Sequence, residues 1–447
     1  MPRSVVEKYA EPKSLARLLG SIEADWIEEA LEATGTASVR RRRLPAEQVV
    51  WLVLGMALYR QMGISQVLRY LHLALPGGRG ATVAPSSAAQ ARARLGSEPM
   101  KWLFERCAQT WAERSAEQHR FRGLKVYGVD GTTLRVPDSE ENRAHFGGQR
   151  GRDGEQGGYP LARMVTLMVL RSHLLAAARF GPYATGETTM ASELWPLLPD
   201  DSLCIVDRGF LAAPCLLPIE GGGRNRHWMT RAKSKTKWTT VKRLGKGDAL
   251  VELKVSRQTR KTNPAMPEHW LMRAIEYQRP GYKPEVLLTS LTDARAYPAH
   301  ELVALYHERW ELELGYDEVK TELLDRQEAL RSRSVDGVSQ ELWGVGLLYN
   351  LIRLEMEQIA VEAHVPPVRI SFNHSLLFIQ NCWLACAAIG APAAIPKLLR
   401  KLRADLAHFV LPERRPERLY PRAVKIKMSN YPRKRATPHP RSGKALK

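Results

Sequence analysis

Cysteine is scarce in this chain, with five residues among 447 and no regular spacing between them. The five are Cys107, Cys204, Cys215, Cys382 and Cys386. An odd, scattered set is neither the paired framework of a small secreted domain nor the closely spaced pattern of a zinc site. Cys382 and Cys386 lie one turn apart in an apolar helix-like run, where we expect buried thiols and not ligands. This use of cysteine fits a reducing cytoplasm.

Acidic residues are outnumbered by basic ones, and apolar runs long enough to span a membrane are not found. The 67 Lys+Arg outnumber the 47 Asp+Glu, which gives a net charge of +20 and a sequence pI near 9.9. The run VVWLVLGMALY is too short and too interrupted to span a bilayer, and the start MPRSVVEKYAEPKS has no apolar signal-peptide core. We therefore expect a soluble cytoplasmic protein without a membrane partner. The positive charge favours a polyanionic partner, and nucleic acid above all.

Helix-period patterns occupy the first hundred residues. The segment 18–35 is amphipathic and ends at Gly35, and Pro45 opens a second helix. SQVLRYLHLAL follows after Gly63, and Pro85 opens another helix. Between the first two helices lies an arginine tract: Arg40, Arg41, Arg42 and Arg43. The tract is either a phosphate clamp beside a small helical DNA-binding unit or a solvated linker, and no recognition-helix signature decides between them.

Strand-like patterns begin at Leu124. The apolar run LKVYGVD predicts a buried strand, and the common turn pair Asp130-Gly131 predicts a turn into TTLRVPD. The run ARMVTLMVLRSHLLAAARF predicts a long strand and its antiparallel neighbour, ETTMASELWPLL a helix, and DDSLCIVDRGF a strand that ends at Asp207. Three strands, a helix and a further strand are the opening of an α/β, ribonuclease-H-like fold, in which a mixed sheet has flanking helices and acidic residues meet at neighbouring strand ends.

A third pattern follows from about His227 to Leu291. It consists of short β-rich runs separated by GKGD, a proline-containing loop and RPGYKP. Because this block precedes the next helical segment, we interpret it as a β-rich insertion within the catalytic fold. Past Arg331 the chain is helical and apolar, and it ends in a basic, proline-punctuated tail.

One helical stretch, LYHERWELELGYDEVKTELL, carries four functional groups on one face. At ~100° per residue, Tyr306, Arg309, Glu313 and Lys320 fall within about 60° of arc. The guanidinium suits bidentate phosphate contact, the ammonium supplies a point charge, and the phenol is able to hydrogen-bond a phosphate or a base. Asp317 lies about 40° from Glu313 and is the runner-up carboxylate. The other acids of this stretch point more than about 100° away from Glu313: Glu308, Glu311, Glu318 and Glu322.

Asp130, Asp207 and Glu313 are the predicted catalytic residues and metal ligands. Phosphodiester transfer needs an activated water or hydroxyl, a Lewis acid at the phosphate and a stabilised leaving oxygen. Two Mg²⁺ ions roughly 3.5–4 Å apart supply all three, and Mn²⁺ is the expected substitute. Asp130 is the predicted bridging carboxylate because it lies on the central strand. Each acid taken singly is equally a turn or capping residue, whereas the three together with the basic helix face indicate a specific site.

Two other polar residues have structural interpretations. His173, in LRSHLL, is expected to cap a strand and not to bind metal, and Glu187, in TGETTM, is expected to begin a helix and not to act as a ligand.

The chain resembles a bacterial insertion-sequence transposase of the DDE class, in the insertion-sequence-four family. The hallmark of that family, Tyr-x2-Arg-x3-Glu-x6-Lys, is matched without departure by Tyr306, Arg309, Glu313 and Lys320. The first acidic motif of the family is similar to VDGTTLRVPDSEENRAHFG, and the second to VDRGF. The amino-terminal segment through QARARLG resembles the amino-terminal domain of the family. The resemblance covers roughly residues 14–330.

The resemblance implies Mg²⁺-dependent cleavage of double-stranded DNA at the inverted-repeat ends of an element. Attack of the exposed 3′-hydroxyl on target DNA then follows. It also implies a homodimer assembled on two ends, in a bacterial cytoplasm at the nucleoid. Some relatives stack a flipped base on a tryptophan of the insertion, and Trp238, in KSKTKWTTVKRL, is the basic-flanked candidate here. Trp228 and Trp270 lie in apolar strands and are expected in the core.

The expected organisation has six segments. They are a helical domain that binds DNA ends at 1–120, the first part of the catalytic core at 121–220, the β-rich insertion at 221–295, the core helix at 296–335, a helical carboxy-terminal region at 336–412 and a basic tail at 413–447. Two alternatives to an active transposase stay open. One is a catalytically silent DNA-binding descendant, which the retained acidic residues oppose, and the other is a metal-dependent nuclease that cuts without joining.

Overall fold

The computed structural model of the chain describes residues 22, 24–37, 44–70, 84–149, 157–279, 282–325, 329–389 and 395–412. The tract Arg40–Arg43 and the tail 413–447 lie outside the described residues. Among the helices described, none combines the length and the apolarity needed to cross a membrane.

Helices form the amino-terminal part of the described chain. They are α1 (Ala24–Ala33), α2 (Ala46–Leu58), α3 (Ile64–Tyr70), α4 (Pro85–Leu95) and α5 (Glu98–Gln118). The predicted boundaries are confirmed: Pro45 directly precedes α2, and Pro85 is the first residue of α4. Gly35 follows α1 with φ 66°, in the left-handed region that glycine adopts without strain.

One mixed sheet forms the centre of the described chain. Its nine strands are β1 (Lys125–Arg135), β2 (Leu161–Val169), β3 (Leu175–Pro182), β4 (Ser202–Val206), β5 (Arg226–Arg231), β6 (Thr239–Gly245), β7 (Asp248–Lys254), β8 (His269–Tyr277) and β9 (Glu285–Thr289). Their order is β3-β2-β1-β4-β5-β9-β8-β7-β6, with β1, β4 and β5 parallel and the other pairs antiparallel. The predicted α/β class with a mixed sheet is confirmed. The strands β5–β9 lie in the segment interpreted as an insertion, and β5 pairs directly with β4.

The predicted turn at Asp130-Gly131 is wrong, because β1 runs through both residues. Asp130 pairs with Thr166 of β2, and Gly131 pairs with Val165. A Cβ added at Gly131 would lie 2.5 Å from Cγ of Glu187. The glycine therefore leaves the space over β1 that the side chain of Glu187 occupies. Pairing with a neighbouring strand has overridden the local turn preference of the dipeptide.

Short helices connect the strands. They are α6 (Glu140–Phe146), α7 (Glu187–Ser192), α8 (Ala213–Gly221) and α9 (Arg257–Thr262). The segment after the sheet was predicted as one regular helix, and this is wrong in detail. It comprises α10 (Ala299–Tyr306), a 3₁₀ turn (His307–Arg309), α11 (Trp310–Asp317) and a π-helical turn (Glu318–Leu323). Such π turns arise where packing shifts the hydrogen-bond register of a helix, often beside functional sites.

Three further helices complete the described fold, namely α12 (Val335–Glu362), α13 (Phe372–Ile389) and α14 (Ile395–Leu406). Every residue of α12 from 340 to 354 is buried, so other elements surround this helix on all sides. It contacts α2 and α5 of the amino-terminal helices, β3 of the sheet and the π-helical turn. A single buried helix therefore supports the segment that carries Glu313 from behind.

Candidate active site

Asp130 and Asp207 lie side by side at one edge of the sheet. The strands β1 and β4 are parallel neighbours, and Val129 pairs with Val206. Asp130 is the next residue of β1 and Asp207 is the first residue after β4, so the register brings the two aspartates to adjacent positions. The predicted meeting of the two aspartates is confirmed as geometry, while their role as metal ligands stays a prediction.

Arg309 connects these aspartates with Glu313. Its Nη2 lies 2.9 Å from Oε1 of Glu313, one helical turn away, and its Nη1 lies 4.0 Å from Oδ2 of Asp130. Burial opposes the charge of the guanidinium, yet the hydrogen bond to Glu313 and the nearby charge of Asp207 raise the pKa of Arg309 above its ordinary value. One guanidinium thus interacts with all three predicted carboxylates.

The carboxyl group of Asp130 has a strongly altered acidity. Burial raises its pKa to about 6, and the charges of Glu187 and Asp207 act in the same direction. The backbone N–H of Gly131, which donates to Oδ1 at 2.8 Å, and the guanidinium of Arg309 act in the opposite direction. Asp130 is therefore a partly buried carboxyl group whose surroundings favour its neutral form.

This shift predicts that Asp130→Asn stabilises the metal-free protein at neutral pH. In the unfolded chain the carboxyl ionises near its ordinary pKa of 3.8, and in the fold near 6. Between these two pH values the folded state binds more protons than the unfolded chain. The protonated carboxyl of Asp130 therefore contributes its full stability below pH 3.8, and this contribution is lost as the pH rises through 6. The difference between these two pKa values corresponds to roughly 2–3 kcal/mol. Urea denaturation in EDTA should show the gain in unfolding free energy at pH 7.5 and a smaller gain at pH 4.5.

Asp138→Asn is the matched control for this measurement. Asp138 is an exposed acid, and its hydrogen bond to Arg143 holds its pKa below the ordinary range. Its removal should give no stabilisation at either pH. Equal unfolding free energies of the wild type and Asp130→Asn at pH 7.5 would contradict the raised pKa.

Lys320 and Tyr306 occupy different environments. Nζ of Lys320 donates to Oγ1 of Thr132 at 3.2 Å, two residues beyond Asp130 on β1. Tyr306 is only 5% exposed, so a contact of its phenol with DNA stays a prediction. Asp317, the runner-up carboxylate, accepts a hydrogen bond from the hydroxyl of Thr321 at 2.7 Å.

An open cleft of about 1130 Å³ begins at these groups and follows the second half of β1. Asp130, Glu313, Asp317 and Lys320 line one part of it, and the exposed ring of Tyr159 lies on another part. Asp207 is not among the residues that line it. The cleft has room for several nucleotide-sized groups beside the carboxylates.

The tryptophans of the β-rich segment separate into two environments. Trp228 and Trp270 are buried with ring centroids 5.0 Å apart, which confirms the prediction that both belong to the core. Trp238 directly precedes β6, is half-buried and packs against the core. Its role in base stacking stays a prediction.

Glu187 and His173 differ from their simple interpretations. Glu187 begins α7, as predicted, but its side chain also crosses β1 beside Asp130 and forms an ion pair with Arg163. His173 lies buried in the β2–β3 turn with φ 62°, and its Nε2 lies 2.8 Å from Oε2 of Glu311. It belongs to a buried charge network and not to a strand cap, and the acids that it contacts face away from Glu313. Neither contact has a signal in the local sequence.

The donor chemistry of the three acids fits a divalent ion. All three are carboxylates, the ligand type that Mg²⁺ and Mn²⁺ take in proteins, and Asp130 is a partly buried acid beside further negative charge. Within the part of the chain that the structure describes, no group of three or more His, Cys, Asp or Glu side chains is arranged to hold a metal. Arg309 donates to Oε1 of Glu313 at 2.9 Å, so this oxygen of Glu313 pairs with a guanidinium in the fold.

Comparison with known proteins gives a consistent set of similarities. The family model described as insertion element 4 transposase N-terminal matches residues 12–105, and the one described as transposase DDE domain matches residues 122–351. Transposase InsG for insertion sequence element IS4 of Escherichia coli is 38% identical over 433 residues, which are 96% of each chain. A cryo-EM structure of a piggyBac transposase synaptic complex with hairpin DNA aligns with 93% of this chain and 88% of that chain, at 9% identity and a TM-score of 0.41.

Proposed function

The chain belongs to the insertion-sequence-four family of DDE transposases, and on this premise we propose how it acts on DNA. It binds the terminal inverted repeats of its insertion sequence, cleaves the DNA at the element ends and joins the 3′-hydroxyl ends to target DNA. The main support is the gathering of Asp130, Asp207 and Glu313 around one guanidinium beside an open cleft. In this proposal the sheet and its flanking helices form a ribonuclease-H-like core.

The three acids would hold two Mg²⁺ ions, which when bound activate the attacking oxygen and stabilise the leaving oxygen. The backbone N–H of Gly131 orients one oxygen of Asp130 and leaves the other available. Arg309, which pairs with Glu313 in the fold, would also be placed to donate a bidentate pair to a phosphate of the DNA if Glu313 held the metal. Lys320, on the same cleft, adds a second positive charge close to β1.

The DNA duplex would also contact the β-rich segment. From the end of β5 through α9, this segment carries a set of exposed basic side chains and few acids to offset them: Lys233, Lys235, Lys237, Lys242, Arg243, Lys246, Lys254, Arg257 and Lys261. Trp238 lies within this set, which supports its proposed stacking on a flipped base. The Arg40–Arg43 tract is a further proposed phosphate contact.

Assembly and location are part of the same proposal. The protein would act as a homodimer on two element ends, in the bacterial cytoplasm at the nucleoid. As the sequence indicates, residues 1–120 would bind the DNA ends and residues 121–335 would catalyse cleavage and joining.

The direct test uses purified protein, Mg²⁺ and a labelled duplex that carries the terminal repeat of the flanking element. The Glu313→Gln protein is assayed in parallel. Specific nicking or joining at the element boundary by the wild type alone would support the proposal. Tight binding without cleavage by either protein would favour the catalytically silent DNA-binding descendant, and cleavage without joined products would favour the nuclease.

Deletion of the tail after Leu419 is expected to weaken DNA binding in general. The deleted segment contains nine Lys/Arg and no Asp or Glu, so it should interact mainly with phosphates. The slope of log K against log salt concentration should become shallower by about 0.9 for every phosphate that the shortened protein no longer neutralises. Binding measured between 50 and 200 mM salt, roughly the range over which such interactions change affinity most visibly, tests this. An unchanged slope would assign the tail to something other than DNA.

A further inference from the structure

Tyr316 joins the helix that carries Glu313 to the strand that carries Asp130. It lies on α11, one turn beyond Glu313, and is 6% exposed. Its phenol contacts the backbone carbonyl oxygen of Asp130 in a hydrogen bond and lies 2.8 Å from Oγ1 of Thr166. Asp130 and Thr166 are register partners across β1 and β2. One hydroxyl group therefore contacts both strands at the position of the predicted bridging carboxylate.

The number of protons on the two hydroxyl groups determines which group donates in each hydrogen bond. A phenol has one proton, so when Tyr316 donates to the carbonyl of Asp130, the hydroxyl of Thr166 must donate to the phenol oxygen. Burial raises the pKa of Tyr316 well above its ordinary value, so the phenol stays a neutral donor.

The peptide unit that accepts this bond also orients the carboxylate. Its carbonyl belongs to Asp130 and its N–H to Gly131, and that N–H donates to Oδ1 of Asp130 at 2.8 Å. A donor on the carbonyl side strengthens the N–H as a donor on the other side. The helix approaches the sheet closely at this level, because a Cβ at Gly315 would lie 2.6 Å from Cε of Met168.

We infer that Tyr316 is a positioning residue for the DNA-cutting reaction, which sets the separation and orientation of Asp130 and Glu313. Glu313 and Tyr316 are three residues apart on α11, so a displacement of the phenol is transmitted to the glutamate. The inference rests on the proposed function, because it assigns the residue that holds two members of the proposed ligand set together.

Tyr316→Phe tests the inference because it removes the hydroxyl and keeps the ring. The single-turnover cleavage rate at saturating DNA should fall about 10²-fold, the scale expected for a misplacement of about 1 Å. The Mn²⁺ concentration for half-maximal rate should rise, while the affinity for the DNA end stays within about twofold, since phosphate contacts rather than this hydroxyl carry most of the binding. If Tyr316 acted in folding alone, the variant would have a lower melting temperature. It would not show a raised Mn²⁺ requirement together with an unchanged affinity for the DNA end.

Tyr59→Phe is the matched control. Tyr59 is also buried, and its hydroxyl also donates to a backbone carbonyl, that of Gln380 at 2.8 Å, in the helical part of the chain. It should leave cleavage and metal dependence unchanged. Thr166→Val removes the other hydrogen bond and keeps the phenol on Asp130, so most of the rate should remain. A fall in rate as large as that of Tyr316→Phe would overturn the importance of the carbonyl contact.

A second readout needs no DNA. Binding of Mn²⁺ to the protein, followed by the loss of the free-ion signal in electron paramagnetic resonance, should be weaker for Tyr316→Phe and unchanged for Tyr59→Phe. If the two variants match in Mn²⁺ binding and in cleavage, the inference is overturned. If the wild type does not cut its element end at all, the proposed function fails, while the Mn²⁺ comparison still decides the role of Tyr316.

Discussion

Asp130→Asn, Asp207→Asn and Glu313→Gln will each abolish cleavage of the element end and leave binding of that end largely intact. Each amide keeps the shape of the side chain and removes the negative charge that a divalent ion requires. The loss in cleavage rate should be at least about 10²–10³-fold, the scale for removing one group that stabilises transition-state charge. Single-turnover cleavage and gel-shift titration on the same labelled duplex measure the two quantities.

Glu308→Gln is the control on the same helical segment. Its carboxylate forms a two-point pair with Arg171 at 2.9 Å, on the side that faces away from Glu313. It should keep near-normal cleavage, because it removes an equal charge five residues from Glu313 without touching the carboxylate cluster. Near-normal cleavage by any of the three cluster variants would remove that residue from the site.

The positions of the two aspartates could be predicted from local pattern. An apolar strand-like run precedes each of them, and three strands followed by a helix and a further strand predict a fold in which these two runs become neighbouring strands. The register of Val129 with Val206 realises this expectation. The spacing of Arg309 and Glu313 is equally local, since residues four apart on a helix are neighbours.

The contacts that could not be predicted are those between distant segments. Gly131 resembles a turn residue because the sequence around it does not reveal that Glu187, 56 positions later, crosses the strand there. Tyr316 has the surroundings of any core tyrosine, and only the docked helix shows that its hydroxyl meets the carbonyl of Asp130. The π-helical turn after Asp317 likewise depends on packing against α12 and α13 and not on its own residues.

Behind the helical segment that carries Glu313, the structure contains a buried charge network. Arg353 of α12 is 1% exposed, and its Nη2 lies 2.8 Å from the carboxylate of Glu318. The hydroxyl of Tyr349 donates to the same carboxylate at 2.8 Å, and the ring of His173 lies between Glu311 and Glu318. Burial acts to raise the pKa of Glu318, but the charges of Arg353 and His173 outweigh it and hold that pKa below the ordinary value. Glu318 is therefore ionised in the fold.

Arg353→Met will lower the free energy of unfolding by about 3–5 kcal/mol, because it leaves the charge of Glu318 buried without its main partner. Adding Glu318→Gln should recover a large part of this loss, since the two changes together remove the charge and its counter-charge. Arg224→Met is the control: its ion pair with Asp201 is at the surface, with the arginine side chain 77% exposed, and should contribute less than about 1 kcal/mol. Urea denaturation of the four proteins gives the comparison. A loss for Arg353→Met no larger than that for Arg224→Met would show that the network does not hold the segment of Glu313 in place.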